Sequence, residues 1–188
     1  MTRTFAAIFP SVEVRDALSE LVGKLRKLCT GVKWVEKENM HLTLRFFGAL
    51  TDEQVEAATQ CMKDLSLLKT AFKARLGTVG AFPSPSRARV IWVGVDEGKE
   101  RLVDIAIALE EAFVKAGLGQ ADKPFSPHLT VGRVRVPQRN PELEEAIRTL
   151  TFSQGEFIID ALTLTKSELT PRGPIYSPLT VAELGISE

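Results

Sequence analysis

Apolar positions in this chain change their spacing several times, and each change marks the start of a new element. Residues 4–9, Thr4-Phe5-Ala6-Ala7-Ile8-Phe9, make a short run closed by Pro10, as a buried strand would be. The spacing then turns helical, with Val14, Leu18, Leu21, Leu25 and Leu28 recurring along one face. A second helix opens at Thr51, where Gln54 completes a capping box and Val55, Ala58, Met62 and Leu65 form the stripe. A third carries Leu102, Ile105, Leu109 and Phe113 and ends near Gly117. A short fourth begins at Asn140-Pro141, a cap followed by proline in the first turn, and buries Leu143, Ile147 and Leu150. Runs rich in Val, Ile, Thr and Phe predict strands at about 32–35, 41–47, 71–79, 88–95, 128–136, 155–169 and 175–182. Loops with Pro and Gly fall at 82–86, 123–127 and 170–174, and none has the length of an interdomain linker. The pattern predicts an α+β protein, one domain over 1–188 with two lobes.

Composition narrows the class. A chain of 188 residues with 44% hydrophobic content can bury one sizeable core. Twenty-four Lys+Arg balance 24 Asp+Glu, so no broad basic surface exists to neutralise many phosphates along a duplex, and a bound nucleic acid would be a short piece. Cys29 and Cys61 stand far apart with no CxxC, which reads as two free thiols and neither a disulfide framework nor a zinc ribbon. The apolar run at the start is too short for a signal peptide, and no later stretch is long enough for a bilayer. The expected location is the cytoplasm, with no membrane partner. Oligomeric state is left open, a monomer being compatible with everything above.

Chemistry enters with the histidines. There are two, and both lie in one local pattern, His41-Leu42-Thr43-Leu44 and His128-Leu129-Thr130-Val131, nearly half the chain apart. In a strand, residues two apart share a face, so each copy offers an imidazole and a hydroxyl backed by apolar neighbours. One such copy is ordinarily a satisfied histidine beside a β-favouring threonine; two copies that use every histidine point to two half-sites, whose strands are expected to face each other across a groove. Two imidazoles at one phosphodiester supply a base for water and an acid for the leaving oxygen, and the threonines can donate to non-bridging oxygens. No HxxxH or HExxH helix supplies further ligands, so no metal and no cofactor is expected, and no GxSxG or cysteine signature suggests a covalent route.

Beyond the two motifs, Val32-Lys33-Trp34-Val35, Asn39 to Gly48, Gly80-Ala81-Phe82-Pro83, Arg89-Val90-Ile91-Trp92, Pro127 to Arg133 and Leu169-Thr170-Pro171-Arg172-Gly173-Pro174-Ile175-Tyr176 also form a recognisable set. Over nearly its whole length the chain resembles the two-histidine (2H) phosphoesterases, and within them the bacterial and archaeal RNA 2′,3′-cyclic phosphodiesterases once called 2′-5′ RNA ligases. The resemblance implies a bilobal fold with antiparallel sheets lining a central cleft and helices outside. It implies RNA ends or short cyclic-phosphate nucleotides as partners and a 2′-phosphate product. It also assigns His41 as proton donor and His128 as proton acceptor, a choice that the duplicated motif alone leaves open.

Flanking residues read two ways. Arg45 continues the alternation His41, Thr43, Arg45, so it could reach the phosphate or be a solvated strand-end arginine. Arg133 has the opposite parity to His128 and Thr130, which makes it structural unless a bulge at Gly132 re-aims it; the resemblance makes it a phosphate or salt-bridge candidate. Phe82, Trp92 and Tyr176 could stack on the terminal base or simply pack. Hydrolysis is the expected reaction. A ligase using a 5′-hydroxyl in place of water, and an RNA-end or nucleotide binder without catalysis, are the alternatives.

Overall fold

The computed structural model describes residues 1–135, 139–171 and 173–186. In chain order the elements are β1 (Thr2–Ile8), α1 (Val12–Arg26), β2 (Val32–Trp34), β3 (Leu42–Leu50), α2 (Asp52–Leu67), β4 (Phe72–Phe82), β5 (Val90–Glu97), α3 (Lys99–Lys115), β6 (His128–Val134), α4 (Pro141–Thr149), β7 (Glu156–Ile159), β8 (Ala161–Thr170) and β9 (Gly173–Glu183), with 3₁₀ turns at Lys37–Asn39 and Pro85–Arg87. The helices start where their caps sit. Ser11 and Asn140 accept from backbone amides of the first turn, and Thr51 and Gln54 exchange both hydrogen bonds of a capping box. Leu28 lies beyond the end of α1 and is exposed, and the apolar run 155–169 is two strands that part at Asp160. The predicted strand 128–136 ends at Val134; its residue 136, and Arg172 of the 170–174 turn, lie outside the described residues.

All ladders between the named strands are antiparallel, in the order β7-β4-β5-β6-β3-β1-β8-β9, with β2 added beside β6. The sheet is thus two four-stranded halves, β7-β4-β5-β6 and β3-β1-β8-β9, meeting at β6 and β3, which share the pair Leu42–Leu129. Helices α2 and α3 pack on the half holding β3, β1, β8 and β9; α1 and α4 pack on the other. Leu42, Leu129, Ile8, Ile91, Met40, Leu18, Leu109 and Phe113 are fully buried between sheet and helices, which leaves the opposite face of the sheet as the cleft.

Sequence order and lobe membership disagree. After β1 in one lobe the chain packs α1 against the other, returns for β3 and α2, leaves again for β4 and β5, returns for α3, and leaves for β6, α4 and β7 before β8 and β9 close the first lobe. Neither lobe is a continuous segment. Among the described residues, no helix is long and apolar enough to cross a membrane.

Candidate active site

The two motifs do not face each other from opposite walls. Their strands are neighbours, joined at Leu42–Leu129, and antiparallel pairing there sets His41 beside Thr130 and Thr43 beside His128 on the cleft face. Each imidazole is tethered in the same way: Nδ1 donates to the carbonyl two residues upstream, Asn39 O for His41 and Ser126 O for His128, both at 2.7 Å. A carbonyl can only accept, so the neutral ring keeps its proton on Nδ1 and its lone pair on Nε2. Asn39 is itself held, its Nδ2 donating to Pro174 O at 3.0 Å, which ties the turn end of β8–β9 to the start of β3.

The walls differ. His41 lies against Phe5 (ring centroids 4.7 Å), Phe9 (5.5 Å) and the edge of Tyr176 (5.3 Å). Ala7 leaves room between Phe5 and Phe9, because all three alternate onto the cleft face of β1 and its continuation. His128 meets Phe82 edge-on at 5.1 Å, with Trp92 at 6.3 Å. Trp92 lies flat across β4: a Cβ on Gly80 would stand 2.3 Å from its indole, so only glycine fits there. Its Nε1 is buried and has no hydrogen-bond partner among the described residues. Burial is the main reason His41 falls to a pKa of about 4, opposed by the Asn39 carbonyl and assisted by the charge of Arg133. His128 is lowered by burial too, opposed by the Ser126 carbonyl and assisted by Arg133.

A bulge in each motif strand decides which arginine joins the site. In β3, Thr43 pairs with Ala7 and Arg45 with Ala6, so Leu44 is an extra residue and parity flips. Arg45 therefore leaves the cleft face. It is 6% exposed, ion-paired with Glu110 of α3, and its Nη2 reaches Leu118 O and Gly119 O at 3.3 and 3.1 Å. Its Nη groups are engaged by Glu110 of α3 and by two carbonyls of the loop between α3 and β6, on the side of the sheet away from the cleft. In β6, Thr130 pairs with Trp92 and Gly132 with Ile91, so Val131 is extra. Arg133 consequently shares a face with Thr130 and Trp92, and its charge acts on His41, His128 and Tyr176 alike.

Thr43 is exposed and Thr130 half-buried, both on the cleft face next to the imidazoles. Phe5, Phe9, Asn39 and Ser126 were not singled out from the sequence. The repeated signal that could have found the last two is the carbonyl two residues before each histidine. Among the described residues no three His, Cys, Asp or Glu side chains cluster as a metal site requires.

Comparison with known proteins adds a second line. The model of the LigT-like phosphoesterases matches the chain twice, over 8–92 and 93–176, one match for each copy of the motif. An RNA 2′,3′-cyclic phosphodiesterase of Methanothermobacter thermautotrophicus is 35% identical over 97% of this chain and 98% of its own. One of Archaeoglobus fulgidus is 38% identical over 94% and 99%. The crystal structure of TT0787 of Thermus thermophilus superposes with a TM-score of 0.82 at 32% identity, covering 99% of this chain and 100% of that one.

Proposed function

The chain belongs to the LigT-like phosphoesterase family, and from that premise we propose that it hydrolyses the 2′,3′-cyclic phosphate at an RNA end, leaving a 2′-phosphate. The observation that carries the reading is the matched tethering of two imidazoles by upstream carbonyls on strands bridged at Leu42–Leu129. It leaves two Nε2 atoms, one of which can take a proton while the other gives one. Relatives named RNA 2′,3′-cyclic phosphodiesterase supply the substrate class.

In the proposed step a water oxygen bonds to phosphorus while His128 Nε2 takes its proton. The P–O3′ bond breaks, and the 3′ oxygen receives the proton that His41 Nε2 carried. The product is a 2′-phosphomonoester with a free 3′-hydroxyl, and the pair exchanges protons with solvent to reset. Thr43 and Thr130 donate to the non-bridging oxygens, and Arg133 balances the charge that builds there. Phe82, Trp92 and Tyr176 frame the terminal base.

Electrostatics set a condition on these roles. Both histidines are lowered in the free protein, His41 to about 4, so the donor's proton is held at neutral pH only when the anionic phosphate sits between the rings and raises both. The test is to incubate the protein with an oligonucleotide ending in a 2′,3′-cyclic phosphate and resolve the products. A 2′-phosphate end is expected. Joined strands would make it a ligase, and unchanged substrate with measurable binding would make it an RNA-end binder.

A further inference from the structure

The cleft carries a second arginine that chemistry at the histidines does not use. We infer that Arg3, laid over the ring of Phe46, holds the phosphodiester one step upstream of the terminal nucleotide, so that the cleft fits an RNA strand end better than a cyclic mononucleotide. This extends the hydrolytic reading above from one nucleotide to two and rests on it.

The bulges at Leu44 and Val131 create a residue-by-residue equivalence between the half-sites: His41 with His128, Thr43 with Thr130, and Phe46 with Arg133, each of the last pair being the next residue on the cleft face beyond the bulge. In β6 that position is a guanidinium. In β3 it is a phenyl ring left 48% exposed. The ring is not bare. Arg3 of β1, on the same face as Phe5, sets its Cζ 4.5 Å from the Phe46 centroid, and its charge reaches Tyr176, whose ring edges against His41. The neighbouring strand thus supplies the cation that β3 lacks, and both halves of the cleft end in a guanidinium.

One phosphate between the imidazoles needs only one of the two. Among the described residues, neither Arg3 nor Arg133 has a carboxylate partner, whereas Arg45, Arg75 and Arg148 do. Lys33 pairs with Arg133 across β2 and β6 and adds to the same face. A chain with no net charge therefore gathers unpaired positive groups along its cleft. A stacked, carboxylate-free guanidinium matches a phosphodiester, and the plane of guanidinium over ring offers the upstream base or sugar a surface.

The test compares three substrates on wild type, Arg3→Gln and Arg3→Lys: a 2′,3′-cyclic mononucleotide, a dinucleotide with the same end, and that dinucleotide with a neutral methylphosphonate linkage. Wild type is expected to show kcat/KM about tenfold higher on the charged dinucleotide than on the other two. Arg3→Gln should bring that ratio close to one, and Arg3→Lys should restore part of it. Binding of dinucleotide and mononucleotide 2′-phosphates, followed by anisotropy, gives the same ratio without turnover, and Arg3→Gln should flatten its salt dependence by about 0.7 in the log–log slope. A wild type indifferent to the second phosphate, or an Arg3→Gln protein slowed equally on all three substrates, overturns the inference and leaves the hydrolytic reading intact. Charge-selective, Arg3-dependent binding without hydrolysis would instead sink the hydrolytic reading and keep the subsite.

Discussion

The half-sites of β3 and β6 begin with the same four-residue motif type and diverge within five residues. The β3 copy is walled by Phe5, Phe9 and Tyr176, its imidazole is the more strongly depressed, and its arginine is turned away to Glu110. The β6 copy has Phe82 and Trp92 beside it and brings Arg133 onto the cleft face. Where Arg45 fills the helix side of β3, β6 has Gly132, and a Cβ there would meet Trp34 of β2 at 2.8 Å. The unlike surroundings give two identical groups different proton affinities, as the proposed acid–base pair requires.

The largest effects should come from breaking either half outright. His41→Ala and His128→Ala are each expected to lower the rate on a cyclic-phosphate substrate by roughly 10²–10⁴. A substrate whose leaving group needs no proton should partly rescue His41→Ala and not His128→Ala. Rescue of the other variant would exchange the roles, and wild-type rates in both would end the acid–base proposal.

Next in size is a stability effect that separates the two arginines. Arg45→Met leaves Glu110 with the Ala121 amide but without its cation, and two loop carbonyls without this donor, a loss of about 2–4 kcal/mol in urea unfolding, with KM little changed. Arg133→Gln should do the reverse, costing roughly 10- to 100-fold in kcat/KM with little effect on the unfolding midpoint. If Arg45→Met is the variant that loses substrate binding, the bulge at Leu44 does not govern the site.

The pH profile sharpens the same contrast. Since kcat/KM reports the free protein and both imidazoles are lowered there, its maximum should lie below pH 6.5, with the protonated form of His41 gathering near pH 4. The kcat profile, which reports the complex, should peak higher. Arg133→Gln removes a charge that lowers both rings and should move the kcat/KM maximum upward. A maximum above 7 in the wild type would contradict the burial argument. The smallest effect is at Gly80, where Ala would push the indole of Trp92 off the sheet, at about 1–2 kcal/mol of stability and a measurable weakening of substrate KM.

Much of this was legible beforehand. Helix stripes and caps depend on residues within a few positions of each other, and the capping box at Thr51 and Gln54 is present as the spacing predicts. The HxT copies are legible for the same reason. What failed was alternation carried past Thr43 and Thr130: counting by twos puts Arg45 on the cleft face and Arg133 off it, and the bulges reverse both. A bulge is a property of two paired strands, and a single strand's sequence carries little of it; Gly132 was the one hint. Phe5 and Phe9 read as strand core because nothing local reveals that a histidine from β3 will lie across them. The groove between opposed strands was likewise an inference about pairing, and the pairing is lateral.

The threading of the chain between lobes has a kinetic and entropic consequence. Each passage from one lobe to the other pins them together, and the Leu42–Leu129 pair sits at the middle of that lacing. A two-domain enzyme with a single hinge spends part of its substrate's binding energy on closing, and its reacting groups meet only afterwards. Among the described residues the chain passes between the lobes several times and not through a single hinge, and the pairing at Leu42–Leu129 sets the two histidine-bearing strands side by side. In the proposed mechanism such a pair is in place before the substrate arrives, so binding is expected to carry little reorganisation cost. The same lacing means that neither lobe can unfold without withdrawing strands or helices from the other, and a single cooperative transition seen alike by fluorescence and circular dichroism is its expected signature.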